Sequence, residues 1–343
     1  MRAVILAELP TSGLEPFSFT TPPALLPVAG KPILGRVKNA LSHAGFSDVV
    51  TVASPRTQLN APNVYLAAPL TGAASVLREI HQRSGFEETF AVLRADFVGD
   101  LDLRAAVETH RRSSAIATML VDGSRRTSRY GSVEQDITGA IEQIRLDYPL
   151  QSAVAGIYLF EPDVIARIPS GAEANIECDL LARDLVPRGR VASHACDGHW
   201  LPITNVGEYL AACLAELDQE SQVGQGTDIS PTAEITAPCW IGANCAIDDD
   251  VTLSSCVVED DTRIGAGFSA SNCIIRGNQI IDTDGFVTIA DRNELSWIAP
   301  VARSEEESEV TSDLLRLASR VARNGGPAVE HRAPEYEHIA GPR

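Results

Sequence analysis

Two hydrophobic periods divide the chain. Over the first 210 residues, short apolar runs alternate with stretches whose apolar residues recur at helical spacing. AVILA (3–7), DVVTVA (48–53) and FAVLRAD (90–96) have the length and composition of buried strands. Between them, Lys31 to Ala44 places Ile33, Leu34, Val37 and Leu41 on one helical face, and Ala74 to Gln82 predicts a second helix. Strands alternating with helices predict an α/β domain with a mostly parallel, Rossmann-like sheet covered on both faces. Ligands of such sheets sit at the carboxyl ends of the strands.

The second period follows LAELDQESQ, a linker-like drop in apolarity around 215–222. Val223, Ile229, Ile235, Ile241, Ile247 and Leu253 recur every six residues; the pattern then slips by one and resumes at Val258 and Ile264. A sustained six-residue period is the signature of a parallel β-helix, whose coils stack their apolar residues inward. The stretch holds roughly two to four coils, too few to cover its own ends. Beyond it, Ser304 to Asn324 reads as an amphipathic helix. Ser304 and Glu307 form a capping box, Val310, Leu314, Leu317 and Val321 an apolar stripe, and Gly325-Gly326-Pro327 a stop. The predicted organisation is an α/β domain over 1–220, a short left-handed β-helix over 221–300, a C-terminal helix over 301–326, and a disordered tail over 327–343.

Composition narrows the function. A formal charge of −18 argues against nucleic acid, which needs clustered Lys and Arg. Only Lys31 and Lys38 are lysines, so lysine chemistry is almost absent. No apolar run reaches the roughly 18–20 residues of a membrane span, and MRAVILAELP lacks a cleavage site, so a cytoplasmic location is expected. Cys239, Cys245, Cys256 and Cys273 are spaced too widely for a zinc knuckle and read as small buried residues. None of the seven histidines lies between 223 and 300, which argues against acyl transfer with a histidine base among the coils.

AVILA, LLPVAGKPIL, the strand carrying Asp96, AGIYLF (155–160) and GHWLPI (198–203) follow one another in an order that resembles the sugar-1-phosphate nucleotidyltransferases. The resemblance covers about residues 1–280, and a hexapeptide β-helix is a common companion of that domain. It implies a nucleotidyltransferase fold and in-line displacement at a nucleotide's α-phosphate by a sugar phosphate. Such chemistry rests on gathering anions around a divalent metal, Mg²⁺ if the protein is active.

The framework matches better than the chemistry. In the family a GGxGTRL loop and two lysines hold the phosphates. Laid along this chain, the loop's glycines fall on Glu8, Leu9 and Thr11 and its arginine on Gly13. The first lysine falls on Pro23; the EKP lysine has no counterpart around Asp147, where Arg145 is the substitute cation to test. Of the two metal acids, one survives as Asp96 and the other is Pro202. Gly72, Tyr130, Gly131, Gly156 and Trp200 remain as candidates for nucleotide or sugar contacts. A carboxylate at Glu8 facing a phosphate about 4 Å away would cost roughly 4 kcal/mol at an effective dielectric near 20. Each missing lysine or arginine forfeits an attraction of similar size, and even half of the summed losses exceeds the roughly 4–8 kcal/mol, at 1.36 kcal/mol per tenfold in rate, that separate an enzyme from background. The sequence therefore predicts a catalytically degenerate member. It would regulate or scaffold as a homo-oligomer, or beside an active homologue, and sense a sugar nucleotide. Two alternatives are an active transferase with a rebuilt site and a purely structural oligomer.

Overall fold

Arg2–Leu6 (β1) lies inside a nine-stranded sheet, paired in parallel on one side with Asp48–Ala53 (β2) and on the other with Phe90–Arg94 (β4). Val64–Leu66 (β3) extends the β2 edge. The computed structural model describes residues 1–289 and 298–300, apart from 8–12, 54–58, 60–62, 68–71, 127, 172, 197–199 and 218. The helix and tail expected over 301–343 therefore lie outside the described residues, as do Glu8, Leu9 and Thr11.

Beyond β4 comes Ser152–Phe160 (β9), antiparallel to it, and then two branches. One carries Ser132–Gln135 (β7) and Ile141–Arg145 (β8); the other carries Ala117–Asp122 (β6) and Val191–Ala195 (β10). The pairings make β8 and β9 run against the other strands, so the sheet is mostly parallel, in keeping with the sequence. β9 is buried along its whole length, which is why it reads as an unbroken apolar run.

Alternation along β1 sorts the core into two layers. Ala3 and Ile5 face Leu34, Val37 and Leu41 of the helix Ile33–His43 (α1), with Tyr209 and Leu210 of Val206–Ala215 (α4) in the same layer. Val4 and Leu6 face Leu77 and Ile80 of Ala73–Ser84 (α2), and Leu180 and Leu181 of the wide helical segment Ile176–Leu185. Leu103–Ser113 (α3) covers the first layer further along. Each layer thus removes one face of the sheet from water. No helix among the described residues is long and apolar enough to cross a membrane.

Residues 222–276 build short parallel ladders, and Gln279–Asp282 and Val287–Ile289 extend one of them by antiparallel pairing. Val223 pairs with Ile241, Ile241 with Val258, and Val258 with Ile275. Ile229, Ile247 and Ile264 form a second ladder; Ile235, Leu253 and Ala270 a third. The chain returns to each ladder first after 18 residues and then after 17. That change is the one-residue slip in the sequence period. Val223, with no ladder partner beneath it, is 51% exposed, whereas Ile241, Leu253 and Ile264 are buried. Val257, Ile274 and Ile281 join the α1 layer of the sheet, so the stack leans on the first core.

Cys239, Cys245, Cys256 and Cys273 are buried, and none of the chain's cysteines is disulfide-bonded. Asp248 pairs with Arg263, and Asp249 accepts a hydrogen bond from Ser230 at a turn between ladders.

Candidate phosphate and metal site

Strands β1, β2, β4 and β6 end at one edge of the sheet. There the loop after β1 returns at Gly13, whose φ of +94° suits a residue without a side chain. A Cβ on Gly13 would come within 2.6 Å of the Thr204 carbonyl oxygen. Pro23, at the position of the expected lysine, is buried in the short turn Pro23–Leu25.

Asp96 follows β4 and is only 2% exposed. Its carbonyl oxygen accepts a hydrogen bond from the Ile203 N–H at 2.7 Å. Phe97–Gly99 (β5) pairs with Trp200–Pro202 (β11), and Pro202 stands opposite Phe97. The fold therefore brings together the two positions where the resemblance places metal acids. Only one carries a carboxylate, and that one is occupied: Tyr130 donates its hydroxyl to Asp96 Oδ2, and Arg129 Nη1 lies 3.8 Å from the same oxygen. Burial raises the Asp96 pKa to about 6, against the opposing pull of Arg94 and Arg129. A magnesium ion needs several oxygen ligands in near-octahedral array, and one buried, hydrogen-bonded carboxylate beside a proline does not fit it. Among the described residues no group of three or more His, Cys, Asp or Glu could hold a metal.

Below Asp96 lies an ion pair that sequence reasoning missed. Arg94 Nη2 donates to Glu177 Oε1 at 2.8 Å, and the Tyr158 hydroxyl donates to the same oxygen at 2.7 Å. The Arg94 guanidinium stacks 4.5 Å from the centre of the Tyr130 ring. That ring rests on Gly156. The available signal was a lone arginine inside the apolar run FAVLRAD, a position that demands a buried partner.

The remaining candidates are spread around the edge. Trp200 is 4% exposed and lies beneath the Arg125 guanidinium, 5.9 Å away. Arg125 Nη1 is 3.5 Å from Glu208 Oε1 and its Nε 3.8 Å from Asp122 Oδ2. Gly72 precedes α2, whose first free N–H groups, on Ala74 and Ser75, both donate to the Ala174 carbonyl. A protein carbonyl thus takes the helix-end donors that an anion would use. Gly131 packs on the Arg145 carbonyl, holding β7 and β8 together. Arg145 itself is exposed at the end of the edge strand β8, with the Gln143 amide beside it; the cations facing Asp96 are Arg94 and Arg129. Asp147 is exposed beyond the end of β8.

A family model described as nucleotidyl transferase matches residues 2–219. A UTP--glucose-1-phosphate uridylyltransferase of Synechocystis is 26% identical over 367 aligned positions, covering 88% of this chain and 94% of that protein. A mannose-1-phosphate guanylyltransferase of Arabidopsis thaliana is 24% identical, covering 97% of this chain and 96% of its own. Among solved structures, a Bacillus anthracis chain assigned as a glucose-1-phosphate thymidylyltransferase, crystallised with sucrose, superposes with a TM-score of 0.57. It is 21% identical and covers 65% of this chain and 97% of its own, a likeness of fold.

Proposed function

The chain belongs to the nucleotidyl transferase family, and from that premise we propose that it binds a sugar nucleotide or sugar phosphate without transferring a nucleotidyl group. It would act as a regulatory or scaffolding subunit, as a homo-oligomer or beside an active homologue. The observation that carries this reading is the sealing of Asp96. A carboxylate buried under Tyr130 and Arg129, beside Pro202, is a poor metal ligand, and without a metal the triphosphate charge is uncompensated. Relatives named for glucose 1-phosphate and mannose 1-phosphate make these sugars, and their UDP and GDP conjugates, the first ligands to try. The parallel ladders of residues 222–276 support reading that segment as a left-handed β-helix, an assembly surface for such a role.

A calorimetric titration with nucleoside triphosphates and sugar nucleotides, with and without magnesium, tests the proposal alongside a pyrophosphate exchange assay. Binding without exchange is the expected result. Detectable exchange with any common nucleoside triphosphate overturns it.

The second reading is an active transferase with rebuilt chemistry. It is favoured by the extent of the match, since relatives named as transferases align with 88% to 97% of this chain. Under it, Asp96→Asn and Arg145→Ala each abolish a measurable activity.

A further inference from the structure

We propose that Arg125 and Arg129, carried by the loop after β6, are the phosphate-binding cations of this site and replace those missing from the loop after β1. The proposal rests on the reading that this edge binds a phosphate-bearing sugar ligand, and it names the residues that hold the phosphate.

Topology puts the loop in place. β6 runs in the same direction as β4, because both pair antiparallel with β9. Residues 124–126 and 128–131 therefore lie at the edge of the sheet where Asp96 sits. Its backbone is braced on both sides. Ser124 donates its N–H and hydroxyl to Asp122 Oδ1 at 2.8 and 2.7 Å. The carbonyls of Arg125 and Arg126 accept from Ala153 and Leu150 at 2.9 and 3.2 Å, and Ser128 and Gly131 exchange backbone hydrogen bonds. A braced backbone presenting guanidinium groups is the arrangement an anion site needs.

The two arginines are held near carboxylates without being consumed by them. Arg129 Nη1 is buried with no hydrogen-bond partner, 3.8 Å from Asp96. Arg125 lies 3.5 Å from Glu208 and 3.8 Å from Asp122, at or beyond the long limit of a hydrogen bond. By contrast Arg94 is committed to Glu177 at 2.8 Å. Arg125 also stands at the corner the lost arginine vacated. Gly13, where the resemblance places that arginine, packs on the Thr204 carbonyl. Thr204 donates its N–H and hydroxyl to Glu208 Oε2 at 2.9 and 2.6 Å, and Oε1 of the same carboxylate faces Arg125. Beneath Arg125, the buried Trp200 Nε1 has no partner. A sugar 1-phosphate, or the diphosphate of a sugar nucleotide, supplies acceptor oxygens for Arg129 Nη1 and Trp200 Nε1, which have no partner among the described residues, and closer ones for Arg125 than its two carboxylates.

The test is calorimetric titration of the full chain with inorganic pyrophosphate, glucose 1-phosphate and GDP-mannose. Arg125→Ala and Arg129→Ala should each weaken the tightest of these by about tenfold or more, the loss expected for a charge-assisted contact. The Lys variants should fall between, since an ammonium keeps the charge and loses the fork. Arg183→Ala, which removes an exposed charge paired with Asp179, should change affinity less than about twofold. If binding survives both Ala substitutions but is lost in Arg145→Ala, this assignment is overturned and the functional reading stands. If wild-type protein turns over substrate while binding still depends on Arg125 and Arg129, the functional reading falls and the assignment stands. Absence of binding to every probe overturns both. Where an Ala variant does not fold, the Lys variant decides: affinity equal to wild type at both positions is then evidence against the assignment.

Discussion

The Tyr130 hydroxyl donates its hydrogen bond to the Asp96 carboxylate, and the Tyr130 ring is seated on Gly156. One residue of the β6–β7 loop therefore covers the carboxylate that the resemblance assigns to a metal, and one glycine in β9 fixes where that cover sits.

Asp96 makes stability depend on pH. Its pKa rises from 3.8 to about 6 on folding, because burial disfavours the charged form. A carboxyl with a raised folded-state pKa favours the fold only while protonated. Its contribution is therefore lost as pH climbs from about 4 to about 6 and is flat above. The shift corresponds to on the order of 3 kcal/mol at most. Urea unfolding of wild type and Asp96→Asn between pH 4 and 7.5 checks this. The stability difference should move in favour of the Asn variant as pH rises; a constant difference would contradict it.

Gly156→Ala should destabilise by about 2–4 kcal/mol. Gly156 has φ +74°, and a Cβ there would lie 2.7 Å from the Tyr130 ring. The substitution must strain the backbone and displace the ring together. Thermal unfolding measures the cost, and a change under about 0.5 kcal/mol would show that the ring is not held by this seat.

Arg94→Leu leaves Glu177 and Tyr158 facing an apolar side chain in the core. Removing one partner of a buried ion pair costs about 3–5 kcal/mol. The double variant Arg94→Leu/Glu177→Leu should recover a substantial part of that loss, because no uncompensated charge remains. A double-mutant cycle by denaturant unfolding reads the coupling directly. Additive single losses would mean that the pair is not coupled.

The thiols should divide by burial. Cys213, Cys239, Cys245, Cys256 and Cys273 are buried; Cys178 and Cys196 are intermediate. Burial pushes Cys213 up to about 12 and also raises Cys239 and Cys245, holding them as inert thiols. Alkylation of native protein, read by mass spectrometry, should modify at most Cys178 and Cys196, with the other five reacting only in denaturant. Rapid native labelling of Cys256 or Cys273 would indicate that the ladders open readily.

Much of the framework was legible along the chain. Unbroken apolar runs mark strands buried on both faces, as in AVILA and AGIYLF, and the helical face of Ile33, Leu34, Val37 and Leu41 packs as its spacing implies. The six-residue series was legible because apolar residues 17 or 18 apart, three such periods, pair in parallel ladders, so the spacing of the ladders is written into the period of the sequence. Arg145 shows the opposite case. Its nearness in sequence to the missing lysine suggested a substitute cation; the fold places it exposed on the edge strand β8, whereas the cations beside Asp96 are Arg94 and Arg129.

By itself the sequence determined the opening alternation of β1, α1, β2, α2 and β4, the repeat after residue 222, and the loss of charge at the loop after β1. These depend on local period and residue type, which neighbouring positions carry. Tertiary structure alone decided the chemistry of the edge. Tyr130 and Asp96 are 34 residues apart, and Arg94 and Glu177 are 83 apart. Tyr130 reaches Asp96 because β9 pairs with both β4 and β6, placing the loop after β6 above the end of β4; Glu177 reaches Arg94 because the segment Ile176–Leu185 packs in the layer under Val4 and Leu6. No local pattern records such a meeting, since a charged side chain becomes tolerable in a core only through a partner from another element.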